Sequence, residues 1–245
     1  MVWGSFGIVH ILSLLIAFGG NVGLYFLLKN KSETVRRWVL FPLSFAGIAA
    51  IIFNLVTWNS PLEYLPLHMC SITALLLPVT IWTKNKVLGN LLLLWRLGAL
   101  LALVVNTAQA NFKIFSWTFV FYFFPHALEF GIPILLFALG MVRFEPKYIL
   151  STVALTFAIY TAVHFINLGV NAYALANNVL NPSGDLVQVN YMYSITPANP
   201  VLALFWSIIP CQYWYMYLGI IIIAVYLLAI WLGVWLKRRY YKTNE

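Results

Sequence analysis

Five side chains able to carry nucleophilic or acid–base chemistry lie inside strongly apolar stretches of this sequence: His10, His68, Cys70, His126 and His164. Polar groups are costly in such surroundings, so each is a candidate for function. A thiol and an imidazole together make a nucleophile and its base. The local motif is Leu65-Pro66-Leu67-His68-Met69-Cys70-Ser71, and Pro66 suits the first turn of a helix, where its missing N–H costs nothing. In a regular helix His68 and Cys70, two residues apart, point about 200° apart. His68 then cannot activate Cys70, and the base must come from another helix, from His126 or His164. Near the start of its helix Cys70 gains modestly from the positive end of the dipole, while burial in lipid opposes that gain.

Arg96 and Glu129 also fall within apolar stretches. A mutual ion pair is expected, since either charge alone is severely penalised there. The functional alternative is that Arg96 holds a phosphate or carboxylate headgroup. Glu129 follows His126 by three residues, and Thr118, Tyr122 and His126 are spaced by four. The stretch therefore has one polar stripe facing its neighbours, and Glu129 is placed to orient His126. Thr161, His164 and Asn167 make a similar stripe. Clustered His and Cys also suit zinc, but no two of them have the HxxxH spacing of a shared helix face, and no metal site is expected. No P-loop, Gly-rich dinucleotide loop or GxSxG elbow is present, and no cofactor is expected. Cys70 and Cys211 are too few for a disulfide framework. A single bridge between them fits their common outer placement, although Cys211 reads better as a filler.

The elements that must hold these groups are seven apolar stretches, at about 5–28, 38–57, 64–83, 87–106, 114–140, 148–168 and 213–236. Each reaches the ~20 residues that cross a bilayer core. Of the 14 Lys and Arg, all but Arg96 and Lys113 fall in alternate turns or in the tail, around Lys29–Arg37, Lys84–Lys86, Arg143–Lys147 and Lys237–Lys242. This is the positive-inside pattern. It predicts an all-α bundle of seven transmembrane helices, multi-pass in the cell membrane, with the N-terminus outside and the C-terminus inside. With 63% hydrophobic and 8% charged residues, a soluble domain is excluded, and residues 1–245 read as one integral membrane domain. The net charge of +8 lies at helix ends and points to anionic lipid rather than nucleic acid. Depth counted at 1.5 Å per residue puts His68 and Cys70 ~6–9 Å below the outer surface and His126 at ~18 Å. The long outer loop, 169–212, can lid them, and its apolar part from Pro200 to Pro210 lies in the interface or re-enters.

The Leu65–Ser71 motif, together with His10, His126 and Asn190-Tyr191-Met192-Tyr193 followed by Pro197, resembles in its order the YwaF-type family of bacterial integral membrane proteins, over about 5–236. That family is similar to the animal transmembrane protein 164, an integral membrane acyltransferase of glycerophospholipids. The resemblance implies that a cysteine carries the acyl group with a histidine partner, falling here on Cys70 and His126, and that phospholipids or lysophospholipids are the substrates. The chain departs from the family pattern in Pro125, just before His126, and in Ile209-Pro210-Cys211-Gln212-Tyr213-Trp214, where a Gly-Pro-Trp-Pro run is usual. Acyl transfer also needs donors for an oxyanion, and Ser71, His68, Asn190 or Tyr191 can supply them, with Arg96 or His164 on the phosphate. Two other readings fit the same residues: a transporter or small-molecule binding protein with an outward-facing His-lined cavity, and a lipid ester hydrolase.

Overall fold

A computed structural model describes residues 1–106 and 109–242. The side chains of Lys237, Arg238 and Lys242, counted above in the basic tail, lie outside those described. The described residues form helices α1 (Ile8–Leu28), α2 (Glu33–Leu43), α3 (Ala46–Trp58), α4 (Met69–Thr83), α5 (Lys86–Val104), α6 (Trp117–Ala138), α7 (Ile149–Ala176), α8 (Pro200–Ile208) and α9 (Leu218–Lys242), with no β-sheet among them. Five helical segments are long and apolar enough to cross a membrane: α1, α2 with α3, α5, α6 and α7. The apolar parts of α4 and α9 are shorter, at Met69–Thr83 and Val225–Leu236.

Local chemistry explains where these boundaries depart from the expected ones. Pro66 does not open a helix. The Leu67 N–H closes back on the Leu65 carbonyl at 2.7 Å, a tight turn centred on the proline. The helix then starts only at Met69, and its 15 residues span roughly 22 Å. The second span begins earlier than expected because Ser32 caps Glu33–Leu43 by accepting from the Val35 N–H. It bends at Ser44-Phe45, two residues after Pro42, where α2 hands over to α3. The seventh helix runs on to Ala176, because nothing breaks it before Asn177 and the left-handed Asn178. The loop that follows it is shortened accordingly. Asn199 caps α8 and Pro200 takes its first position, so the predicted interfacial segment is a helix of nine residues.

Large apolar side chains cover the outside of the helices, and polar ones such as Asn90, Glu129 and Asn167 are buried among the apolar core. α1 buries His10, Ser13 and Ala17 and exposes Ile8, Ile11, Leu12, Leu15 and Ile16. A surface of this kind is stable only against lipid. The basic turns meet at one end of the bundle. There Lys84 and Arg37 pair with Glu33 at 2.6 and 3.0 Å, and Lys86 and Lys147 with Glu145 at 2.6 and 2.9 Å. At the same end the Arg36 guanidinium donates to the carbonyls of Leu28, Lys29 and Leu139, and so satisfies the open C-termini of two helices.

Helix direction fixes the site. Gly98 of α5 packs on the Met69 sulfur at the start of α4, and Gly89 on Val142 just past the end of α6. The Tyr122 hydroxyl near the start of α6 donates to the Ala102 carbonyl near the end of α5, at 3.0 Å. α5 is therefore antiparallel to both α4 and α6, which run parallel to each other. Gly47 on α3 lets these helices close up. A Cβ there would sit 2.4 Å from the Ala74 Cβ and 2.7 Å from Glu129 Oε1.

Candidate active site on α4 and α6

Cys70 is the second residue of α4, half-buried, and a free thiol, as is the exposed Cys211. The two cysteines do not form the bridge their outer placement allowed, because Cys70 turns into the bundle while Cys211 faces out. No side chain caps α4, and its first backbone bond runs from Ile72 to His68. The N–H groups of Met69, Cys70 and Ser71 therefore have no intrahelical partner. The Ser71 hydroxyl and N–H are placed to meet a thiolate at Cys70.

His126 lies on the parallel helix α6. Its Nδ1 is 2.6 Å from the Tyr122 carbonyl. A carbonyl only accepts, so Nδ1 carries the hydrogen and Nε2 keeps its lone pair. Pro125 removes the backbone donor that the Phe121 carbonyl would otherwise meet, one residue before the carbonyl that holds Nδ1. His126 is an electrostatic neighbour of His68 and of Glu129, and Glu129 and Tyr122 are neighbours of Cys70.

His68 is not on the helix. It is the N-cap, with φ −70° and ψ 152°, so the spacing argument that turned it away from Cys70 does not apply. Its Nδ1 accepts the Met192 N–H at 3.4 Å, which leaves Nε2 as the protonated nitrogen of the neutral ring. Its ring stands edge-on to Tyr191 at 5.3 Å and tilted against Tyr193 at 5.4 Å. Tyr193 is in turn an electrostatic neighbour of Cys70. Met192 and Tyr193 both hold positive φ, +51° and +54°, a backbone conformation kept only where its surroundings enforce it.

The enforcement comes from α7. Asn167 Nδ2 donates to the Tyr191 carbonyl at 2.8 Å and its Oδ1 accepts the Tyr191 N–H at 3.0 Å. Asn171 treats Val189 in the same way, at 3.0 and 2.7 Å. Asn167 and Asn171, one helical turn and ~6 Å apart, thus meet alternate residues of the loop. Ser194 accepts from Asn167 and lies 3.0 Å from His164 Nδ1. The Tyr191 hydroxyl donates to the Leu62 carbonyl and accepts the Leu65 N–H, tying the loop to the segment that leads into His68 and Cys70.

The fold thus gathers Cys70, Ser71, His68, His126 and Glu129, with Tyr122 and Tyr193. The other predicted residues lie elsewhere. His10 is fully buried with both ring nitrogens on the backbone, accepting from Phe6 and donating to the Leu103 carbonyl. Asn190 folds its own turn, with its amide on Thr196 and Ile195. Tyr191 and His164 anchor the loop. The expected Arg96–Glu129 ion pair is absent among the described residues. Arg96 Nε donates to the Tyr226 hydroxyl at 2.8 Å, with the guanidinium over the Phe130 and Tyr226 rings. Phe130 is one residue beyond Glu129, about 100° further round α6. The two charges therefore face different sides of that helix. Tyr193 was visible only as part of the Asn190–Tyr193 motif. Thr73 is marked in the sequence only by its spacing of three from Cys70, which puts it on the thiol's face of α4.

Compared with known families, the chain matches the TMEM164 family over residues 5–232. No curated protein and no solved structure gives a match.

Proposed function

Because this chain belongs to the TMEM164 family, a family of membrane proteins, we propose that it is an acyltransferase of glycerophospholipids, with Cys70 as nucleophile and His126 as base. The same reading takes it as a YwaF-type member in the cell membrane, crossing seven times, with its N-terminus and the Cys70 end outside. One observation carries the chemistry. The Tyr122 carbonyl holds His126 in the tautomer whose Nε2 can accept a proton, on the helix that runs parallel to the one bearing the thiol. A base fixed this way by a backbone acceptor is the arrangement nucleophilic catalysis needs.

In the first half-reaction His126 Nε2 takes the thiol proton and Cys70 Sγ attacks the ester carbonyl carbon. The carbon–oxygen bond breaks, the acyl group stays on sulfur, and the imidazolium returns its proton to the departing lysolipid oxygen. In the second half-reaction the imidazole takes the proton of an incoming lysolipid hydroxyl, whose oxygen attacks the thioester. Sulfur leaves as thiolate and receives that proton. His68, through Nε2–H, Ser71 and the unpaired N–H groups at the start of α4 supply donors for the oxyanion of each step. A substrate dissolved in lipid reaches this site sideways, between helices.

The test is acyl exchange between a phospholipid and a labelled lysolipid in vesicles, with intact-protein mass spectrometry to detect an acyl adduct. C70A is expected to lose both adduct and exchange. H126A is expected to lower exchange by ~10²–10⁴-fold. Exchange that persists at the normal rate in C70A overturns the assignment.

A further inference from the structure

Below Cys70 and His126 lies a second pair of polar groups that the proposed mechanism does not use. Thr73 follows Cys70 by three residues on α4, and Glu129 follows His126 by three on α6. Because these helices are parallel, both residues sit one step, ~4.5 Å, further along the bundle than the thiol and the imidazole. Thr73 is 2% exposed and Glu129 4%. Thr73 Oγ1 and Glu129 Oε2 have no hydrogen-bond partner in the protein. Glu129 is set beside α4, since its other oxygen and Ala74, the neighbour of Thr73, both pack on Gly47. It is also an electrostatic neighbour of Cys70 and His126.

Buried polar atoms are nearly always hydrogen-bonded, and an unmet one costs a large part of its desolvation energy. Two unmet atoms on facing helices, one step from a nucleophile and its base, are matched by a small ligand group that both donates and accepts. A hydroxyl does both. We infer that Thr73 and Glu129 form the subsite that receives the hydroxyl of the acyl acceptor and holds it against the acyl-cysteine. The inference rests on the acyl-cysteine reading above and adds to it the pair that selects an alcohol as acceptor. As the acceptor oxygen attacks the thioester carbon, the carbon–sulfur bond breaks, the single hydroxyl proton turns from Glu129 Oε2 to His126 Nε2, and it passes from there to the sulfur. Thr73 and Glu129 end the step unchanged.

The two half-reactions can be separated. A nitrophenyl ester of a long-chain fatty acid loads Cys70 with a leaving group that needs no hydroxyl subsite. The acyl-protein is then chased with lysophospholipid, or left in buffer to hydrolyse. In T73V, loading is expected at the wild-type rate, and transfer to the lysolipid is expected to fall about tenfold or more, the worth of one well-placed hydrogen bond; in E129Q, transfer is expected to fall further than loading does. T73V keeps the size of the side chain, so the test stands even if E129Q fails to fold. Transfer at the wild-type rate in T73V overturns the inference and leaves the acyl-cysteine reading intact. Equal slowing of loading and transfer also overturns it, by placing the pair on the thiol and imidazole themselves. Slowed hydrolysis with unchanged lysolipid transfer assigns the subsite to water and overturns it too. A wild-type protein that forms no adduct removes the underlying reading, and the subsite with it.

Discussion

At the scale of single residues, the candidate site is held by side chains that bond to backbone. His126 on the Tyr122 carbonyl, His68 under the Met192 N–H, and Asn21 of α1 on the Ala17 and Ala127 carbonyls all follow this pattern. Backbone partners are fixed in space, so they orient a polar side chain more firmly than another mobile side chain does. Asn21 reaches α6 only because Gly131 leaves room. A Cβ at Gly131 would fall 1.6 Å from Asn21 Oδ1. Gly131→Ala is therefore expected to push Asn21 off the Ala127 carbonyl and to destabilise the protein by about 1–3 kcal/mol. Asn21→Ala in the same chain should recover most of that loss, which thermal unfolding of the single and double variants measures. Simple additivity of the two losses would show that the contact is not the cause.

At the scale of elements, α7 acts as a clamp for the loop that follows it more than as a source of catalytic groups. The stripe of Thr161, His164 and Asn167 reads in sequence as a polar face turned to the bundle. The structure puts that face against residues 187–194 and Tyr213, with Thr161 bonding the Tyr213 hydroxyl at 2.7 Å. Asn167 is fully buried and satisfies both backbone groups of Tyr191. Asn167→Ala leaves those groups unmet at a cost of about 1–3 kcal/mol. Tyr193 and the Met192 N–H should then lose their place beside His68 and Cys70. The expected result is a folded protein with faster hydrogen exchange confined to residues 187–194 and with reduced acyl exchange. Unchanged protection of that segment would remove the clamp.

At the scale of the whole molecule, the basic end is tied by charge and the opposite end by the loop. Glu145 joins the start of α5 to the segment leading into α7. Hydrogen bonds from Lys86 and then Lys147 hold its carboxyl down at about 2, against an ordinary 4.5. A carboxyl held low in the folded protein contributes stability that is present above its unfolded value and is lost as pH falls through its folded one. Between about pH 4.5 and about 2, the wild-type protein should lose more thermal stability than E145Q, in which the charge is already gone. Both lysines are exposed and Glu145 is only part-buried, so the difference should be small and should shrink in high salt. Curves that stay parallel through the window would show that the bridge contributes nothing.

Much of this was legible in the sequence. The arithmetic of Lys and Arg placed the basic turns on one end, where the structure gathers them. The apolar stretches located the helical segments, because lipid demands apolar residues of whatever helix crosses it. The thiol and the imidazole stand out in the sequence because ionisable groups inside such stretches are rare and costly. What sequence could not decide depended on the rotation and direction of helices relative to one another. Whether Glu129 meets Arg96 or Cys70 depends on a turn of about 100° around α6, and helical periodicity fixes that turn only relative to the helix itself. His68 leaves the helix because Pro66 closes a turn before it. The parallel run of α4 and α6, which aligns two rungs of polar groups, exists only when α5 is packed against both. Composition and charge therefore settled that the chain is a membrane bundle with its polar groups inward, because the solvent imposes that on any sequence. Which of those groups touch was left to packing, where contacts distant in sequence choose among arrangements that local chemistry leaves equal.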